Sequence, residues 1–390
     1  MYDIKEINKT IDRLKMPKEY RKRIVNLEKF FTHDITIQLS IREDAGKTTQ
    51  AMILGLVLNK LYGKTIEYLR CDRDQTTKGN VETLFDVVLK KGYVKKIWKE
   101  YNTIIYKPLV KKFFLAFENE KGEIEFEDKK AICHVSSNEE YLRLKSSYNN
   151  PDGDYIVFDE FLDTSRSTLK QMVEFQNNIS TIGRKREDCH VLMLGNNVNQ
   201  YSFWWEEFTI ENEISSLNYG SIIDKRTELG TTLYCEMLEI SDKQNERISK
   251  KNLRFSGFNT PKMAAFNGLQ AWQGSSYPHI PDEKMLKNEP FLSTVWLKHR
   301  NRYIRFKMYY TVENGYFIYC HFSDPPKKKD AIILTTEPIR WNEFYGFCEH
   351  ENEKSRKIGK FIMDCLHNNR IYYSTNSVGE LLSDYRKSLL

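Results

Sequence analysis

A chain of 390 residues, 40% hydrophobic and 29% charged, is long enough for two domains with real cores and too apolar for wholesale disorder. Its seven cysteines, Cys71, Cys133, Cys189, Cys235, Cys320, Cys348 and Cys365, are scattered and never stand as C-x-x-C, which argues against a disulfide scaffold and for reduced thiols. The net charge of +6 is mild but uneven: residues 251–390 hold 21 Lys and Arg against 14 Asp and Glu, while the first 250 hold 39 against 40, so the basic excess that would hold an anionic polymer is C-terminal.

Residues 1–10 alternate charged and apolar side chains, unlike a secretion signal, and no run approaches the ~18 uncharged apolar residues of a membrane helix. The expectation is a chain that does not enter a membrane. Between residues 35 and 194, short apolar runs alternate with amphipathic ones, the order of a βαβ sheet with helices on its faces. Residues 35–39 predict a strand that leads into Gly46-Lys47-Thr48. A helix follows from Thr49, with Ala51, Leu54, Leu58 and Leu61 at helical spacing. Residues 65–69 read as a strand closed by Arg70-Cys71-Asp72-Arg73. Residues 155–158 form a continuous apolar run that stops at Asp159-Glu160, as buried parallel strands do. Residues 190–194 stop at Gly195-Asn196-Asn197. Polar residues at the C-terminal ends of several strands are what the crevice rule for open α/β sheets predicts.

Residues 208–288 open with Glu211 and Glu213, become rich in Asn, Gln, Gly and Ser, and are expected to form a small helical linker or lid. After Pro290 the texture turns to β, with strands at 291–297, 303–310 and 316–322. Asn314-Gly315 is a hairpin turn, because both residues tolerate positive φ. Helices return at 353–366 and 378–388. The expected division is therefore 1–207, 208–288 and 289–390.

Gly46-Lys47-Thr48 stands where a strand gives way to a helix, the context of a P-loop. There backbone N–H groups cradle phosphates, the lysine reaches the β and γ oxygens and the threonine hydroxyl binds Mg²⁺. The usual first glycine falls at Ile41, and the loop reads Arg42-Glu43-Asp44-Ala45. A lone Gly-Lys-Thr recurs by chance in long chains. Asp159-Glu160, about 110 residues further on, changes the weight: the Asp can hold the Mg²⁺ and the Glu can deprotonate the attacking water. Together the two motifs imply a nucleoside triphosphatase. Asn196 either touches the γ-phosphate or closes an Asx turn. Arg184-Lys185-Arg186 is either a transition-state finger for a neighbouring subunit or a solvated basic turn. On the second β run after Pro290, Tyr303, Arg305, Lys307 and Tyr309 share one strand face, which suits nucleic acid but also an ordinary solvated strand.

With these residues in hand, Asp44-Ala45-Gly46-Lys47-Thr48, YIVFDEF from Tyr155 to Phe161, Arg184-Lys185-Arg186-Glu187 and Leu194-Gly195-Asn196, the chain resembles the DNA packaging ATPases of small short-tailed phages with protein-primed genomes, relatives of the large terminase subunits. The likeness spans residue 35 to about residue 198. It implies an α/β fold: an ASCE P-loop ATPase domain, a small helical linker, and an α+β C-terminal domain with an RNase H-like nuclease fold. It also implies ATP and Mg²⁺ as ligands, and a homomeric ring, usually a pentamer. That ring docks on the capsid portal in the host cytoplasm, moves double-stranded DNA into the procapsid, and leaves a structural RNA open as a further partner. By position, Lys47 and Thr48 take the Walker A roles, with Arg42, Ala45, Gly46 and Thr49 around the nucleotide. Asp159 and Glu160 take those of Walker B, Arg184 is the trans-acting finger with Arg186 as its competitor, and Asn196 is the sensor. A terminase nuclease needs carboxylates for two metals, one usually on its first strand. Residues 291–310 contain no Asp or Glu, so the expectation is a vestigial nuclease that grips nucleic acid or portal, with Tyr303, Arg305 and Lys307 as contacts. Two other readings share the motifs. A DNA-stimulated helicase-like ATPase would need a second motor domain after Val198, and a non-catalytic adaptor with a degenerate P-loop would not need Glu160 and Asn196.

Overall fold

The computed structural model describes residues 2–40, 46–140, 153–163, 165–183, 189–196, 199–239, 277–280, 282–311, 315–347 and 353–389. The chain divides into two compact units, Met1–Asp163 with Gln171–Gln273, and Thr164–Lys170 with Gly274–Leu390.

The first unit opens with three short helices, α1 (Ile4–Asp12), α2 (Lys18–Arg21) and α3 (Leu27–Thr32). Asp3 caps α1 by accepting the N–H groups of Lys5 and Glu6 at 2.9 and 3.2 Å, which satisfies two donors that the first turn leaves without partners. There follow β1 (Ile35–Ser40), α4 (Lys47–Tyr62), β2 (Ile66–Arg70), α5 (Lys78–Val81), α6 (Asp86–Lys90) and α7 (Tyr93–Ile97). Next come β3 (Thr103–Lys107), β4 (Lys112–Glu118), β5 (Ile124–Ser137), β6 (Tyr155–Asp159), α8 (Thr168–Ile182) and β7 (His190–Asn196). Helices α9 (Phe203–Glu207) and α10 (Glu211–Ser215) lead to β8 (Ile222–Arg226) and β9 (Thr232–Met237).

These nine strands form one sheet, in the order β3-β4-β5-β2-β6-β7-β1-β9-β8. The six from β5 to β9 run parallel, and β3, β4 and β8 are antiparallel additions at the two ends. One strand, β7, separates the strand before Lys47 from the strand that ends in Asp159. Helix α4 is apolar on every side, with Met52, Ile53, Leu54, Leu56 and Val57 all fully buried. Such a helix needs cover on both faces. The sheet supplies one, and Ile7, Ile11 and Leu14 join the same hydrophobic cluster from the other.

The sequence reading closed the first domain at residue 207 and took 208–288 as a linker. The structure instead returns the chain to the sheet, with β9 hydrogen-bonded in parallel to β1 and β8 beyond it, and the unit runs to Gln273. The reason is burial: Leu233, Tyr234 and Cys235 are each 2% exposed or less, so this short apolar run is one more buried parallel strand. Residues 240–276, the remainder of the expected linker apart from 277–288, lie outside the described residues.

The second unit contains β10 (Phe291–His299), β11 (Arg302–Thr311), β12 (Gly315–Ser323), β13 (Ile333–Thr335), β14 (Glu343–Tyr345), α11 (Glu353–His367), β15 (Ile371–Tyr373) and α12 (Asn376–Ser388). Its sheet order is β14-β13-β10-β11-β12-β15. The three expected strands are present as an antiparallel meander; β13 pairs with β10 in parallel and β14 with β13. A meander extended beyond its first strand by two parallel ones is compatible with the expected RNase H-like sheet, although 324–332 and 336–342 cross without a helix. Gly315 has φ +66°, as the hairpin reading requires, while Asn314 lies outside the described residues. Deep in this unit the Asp384 carboxylate accepts the N–H of Thr168 at 2.7 Å and lies 2.9 Å from His299 Nε2. A buried carboxylate needs such partners, and here they fix the Thr164–Lys170 segment to α12.

Gly55 lets α4 approach the sheet. A Cβ there would stand 2.4 Å from Ile66 Cγ1 and Cδ1 and 3.1 Å from the Tyr155 ring. Gly55→Ala is therefore expected to destabilise the protein by about 1–3 kcal/mol, the cost of overpacking, although alanine is the better helix former. Urea unfolding of the two proteins measures the difference, and an equal or higher midpoint for the variant would contradict this packing.

Candidate active site

Strand β1 ends at Ser40, and the chain re-enters described structure at Gly46, whose φ of +80° is a conformation that glycine adopts without strain. Helix α4, which starts at the next residue, has no side-chain N-cap among the described residues and no acid in its first turn. Its leading N–H groups and the positive end of its dipole are thus available to an anion. Lys47 is only 8% exposed and turns back across the strand ends, where its ammonium donates to Ser40 Oγ at 2.5 Å and to Asn196 Oδ1 at 2.7 Å. A buried cation requires acceptors. The lysine of the first motif and the asparagine at the end of β7 are thereby brought together. Thr49 sits half-buried in the first turn of α4, whereas Arg42, Ala45, Arg184, Arg186 and Asn197 lie outside the described residues.

Thr48 and Asp159, 111 positions apart, meet directly: the threonine hydroxyl donates to Asp159 Oδ2 at 2.8 Å. Tyr68 OH donates to the same oxygen, also at 2.8 Å. A hydroxyl and a carboxylate are hard oxygen donors, the type that suits Mg²⁺. Glu160 follows with φ +55°, the left-handed region, which costs a residue other than glycine on the order of 1–3 kcal/mol. Its carboxylate receives a hydrogen bond from Arg70 Nη2, while Arg70 Nη1 lies 3.5 Å from Asp159 Oδ2 and donates to Tyr68 OH at 3.3 Å. Burial alone would lower the Arg70 pKa, but Tyr68, Asp159 and Glu160 outweigh it and hold the guanidinium above its usual range. Burial, then the nearby Asp159, pushes the Tyr68 phenol well up, so it stays a neutral donor.

Arg70 was visible in the sequence only as the closure of a strand. What would have marked it is the topology: β2 is the neighbour of β6, so their C-terminal ends must touch. A second group escaped the sequence reading altogether. Arg23, 3% exposed, stacks on Tyr20 at 5.1 Å, and its Nη1 would lie 3.7 Å from a Cβ on Gly46. Burial lowers its pKa. Gln38 links it to the sheet by donating to Arg23 O at 3.1 Å and to Glu236 Oε1 at 2.6 Å. Glu236 also accepts from Tyr234 OH at 3.2 Å, and burial raises its pKa. These groups back the turn at Gly46.

In the second unit, β11 alternates as the sequence predicts: Ile304, Phe306 and Met308 are buried, and Tyr303, Arg305 and Lys307 face the other way, half-buried. That face is partly occupied. Lys307 binds Glu283 of a short turn that crosses it, and Tyr309 is 5% exposed in a cluster with Leu286, Phe317 and Tyr319. Arg305 lies over Trp296 at 5.3 Å and donates to Thr294 Oγ1 at 3.2 Å. Among the described residues no three His, Cys, Asp or Glu side chains gather as a metal site, and no described helix is long and apolar enough to cross a membrane.

No protein-family model matches the sequence, and no curated protein is similar enough to count as a relative. Solved structures do match. The Phi-28 gp11 DNA packaging motor aligns with 92% of this chain and 95% of its own, at 17% identity and a TM-score of 0.54. The bacteriophage Phi-29 viral genome packaging motor assembly aligns with 94% of this chain and 99% of its own, at 14% identity and the same TM-score. At such identities the likeness is one of fold: along nearly its whole length, this chain has the fold of phage DNA packaging motor proteins.

Proposed function

We propose that this chain is an ATP hydrolase that drives double-stranded DNA into a preformed viral capsid. What carries the reading is the 2.8 Å approach of Thr48 to Asp159 beside Lys47 on Asn196, at the N-terminus of a 16-residue helix. The fold shared with packaging motors supports it. Lys47 leaves Ser40 and Asn196 for the β and γ oxygens, and the first N–H groups of α4 bind the same phosphates. Thr48 and Asp159 would hold Mg²⁺, and the charge it would supply there neutralises the phosphate oxygens. Glu160 orients a water on the γ-phosphorus and takes its proton as the bond to ADP breaks. Asn196 meets the γ-phosphate once Lys47 has turned away. Arg184, or its competitor Arg186, reaches in from a neighbouring copy of a homomeric ring, a pentamer by the family resemblance, and spreads the transition-state charge.

The ring works at the capsid portal in the host cytoplasm, with a structural RNA as a further partner where the particle has one. The second unit is a nuclease-like domain without cleavage, and its Tyr303, Arg305 and Lys307 face grips nucleic acid. Arg70 holds Glu160 while the site is at rest.

Three measurements test this. Lys47→Ala should abolish phosphate release and nucleotide binding, whereas Glu160→Gln should keep binding of a fluorescent ATP analogue and lose about 10²–10⁴ in turnover; unchanged turnover in either would refute the ATPase assignment. An ion pair of this exposure is worth at most about 1 kcal/mol, a factor of about five. Arg70→Ala should accordingly raise DNA-independent turnover about two- to fivefold, and a tenfold fall would show that Arg70 serves the reaction itself. Incubated with Mg²⁺ or Mn²⁺, the protein should leave plasmid DNA intact, and metal-dependent nicking would overturn the vestigial reading.

A further inference from the structure

The polar face of the second unit's sheet is lined by cations and aromatic rings, and the acid that meets them comes from outside its strands. Strands β10, β11 and β12 contain no Asp or Glu. Register sets Arg305 between Trp296 and His321, and Lys307 between Thr294 and Tyr319. Lys298, on β10, has a carboxylate of its own, Glu343 Oε1 at 3.9 Å. At Lys307 the acid is supplied by the short turn before β10: Glu283 binds the lysine, and the same carboxylate lies 3.9 Å from His321 Nε2. Burial, then Glu283, raises the phenols of Tyr309 and Tyr319, so both stay neutral beside it.

The carboxylate fits this place on one side only. His321 Nδ1 lies 2.8 Å from the carbonyl oxygen of Phe322, which can only accept, so Nδ1 carries the ring hydrogen. Burial lowers the His321 pKa, with Lys307 adding to the effect, and the ring is therefore neutral at pH 7. Its Nε2 turns a lone pair toward Glu283 and is buried without a hydrogen bond. Two acceptors facing each other leave both short of a donor.

The turn itself is lightly held. Its backbone bonds are internal: Asp282 Oδ1 accepts the N–H of Lys284 at 2.9 Å, Met285 N–H donates to Asp282 O at 3.1 Å and Glu289 N–H to Leu286 O at 3.1 Å. Among the described residues, what ties it to the sheet is the Glu283 pair and the Leu286 side chain, which packs on Tyr309, Phe317 and Tyr319. Lys284, Met285 and Lys287 are exposed. The chain on either side is fixed, with Ile280 N–H on Tyr373 O at 3.1 Å and Tyr310 N–H on Pro290 O at 3.2 Å. Residues 282–289 thus span two anchored points, and they carry three acids against two lysines.

We propose that residues 282–289 are a strap that covers the nucleic-acid face of the second unit, with the Glu283 carboxylate standing where a phosphate of double-stranded DNA binds Lys307. This rests on the reading that Tyr303, Arg305 and Lys307 grip nucleic acid, and adds what controls the grip. Carboxylate and phosphate oxygens are rival acceptors for one ammonium group. The tethered carboxylate competes at an effective concentration in the millimolar range, but it is a single charge, whereas a duplex brings one charge per about 1.7 Å of its axis. The strap therefore sets a threshold. Isolated phosphates are kept off Lys307, and a duplex already engaged on Arg305 and Tyr303 displaces the turn.

The test is equilibrium binding of a short fluorescent DNA duplex to the full chain and three single variants. Glu283→Gln should bind about two- to tenfold more tightly, the range expected when one partly exposed ion pair no longer competes. Leu286→Ala leaves every charge in place and loosens the apolar anchor, so it should tighten binding as well. Tightening by Glu283→Gln alone would make Glu283 a local charge and overturn the strap. Lys307→Gln should weaken binding and reduce the slope of log K against log salt by about one, and this arm examines the underlying reading. If affinity and slope stay at wild-type values, the face does not grip DNA; if Lys307→Gln weakens binding while Glu283→Gln changes nothing, the grip stands and the strap falls. Hydrogen exchange of the wild-type protein needs no substitution and covers the case of a variant that does not fold. The amides of residues 284–289 should exchange faster with duplex bound, and greater protection there would make the turn part of the grip rather than its cover.

Discussion

The register of three neighbouring parallel strands is what the site depends on. Strand β1 pairs Ser40 with Asn196 of β7, and β7 pairs Leu194 with Asp159 of β6. This places the two acceptors of Lys47 and the acceptor of Thr48 on one rim of the sheet, where α4 begins. A slip of one residue in either pairing would turn alternate side chains to the opposite face. Both faces of these strands are packed, with Ile37, Leu39, Val157, Phe158, Met193 and Leu194 each fully buried, so a slip would exchange side chains of different shape between two filled layers. The apolar pattern that makes the sheet therefore also aligns the polar tips.

At rest, the charges of the site are held by one another. Glu160 sits in a left-handed conformation that costs on the order of 1–3 kcal/mol. Against this stand its N–H bond to Asp159 Oδ1 at 3.1 Å, a hydrogen bond to a charged group worth about 1.5–3 kcal/mol, and its pair with Arg70, worth at most about 1 kcal/mol. The opposing quantities are of the same size. A residue balanced in this way needs little driving force to change partner, as the base role proposed for Glu160 would require. Asp159 is different: at 4% exposure, with Thr48, Tyr68 and Arg70 about it, it is held firmly.

Much of this was legible in the sequence because its signals are local. A strand that runs into Gly46-Lys47-Thr48 and an apolar run that ends in Asp159-Glu160 each carry their meaning within about ten residues. Arg70, Arg23 and Gln38 carry none until the strand order is known, since each acts through a neighbour on another strand or helix. The strand β9 was missed for a related reason: Leu233, Tyr234 and Cys235 make a run too short to distinguish from a buried piece of linker, and only pairing with β1 defines it. In the second unit, the alternation of β11 was read correctly. The turn that lays Glu283 and Leu286 across its polar face comes from sequence before β10 and left no mark on the strand itself.

The buried acids of the second unit are tied into its own structure. Asp384 joins Thr168 to His299, Glu380 accepts from Tyr277 OH at 2.9 Å, and Glu343 accepts the N–H groups of Ile339 and Arg340 at 2.8 and 3.2 Å. Burial would raise the Glu343 pKa, but those N–H groups and Lys298 reverse the effect and hold it below the usual carboxylate range. Asp384 would leave the buried Thr168 N–H without this acceptor if it moved to bind a cation, at a cost of about 1–3 kcal/mol. On the first strand, the positions that alternate toward the polar face carry Thr294, Trp296 and Lys298 instead. A cation in that place repels a metal ion and attracts a phosphate, the reverse of what a carboxylate there would do.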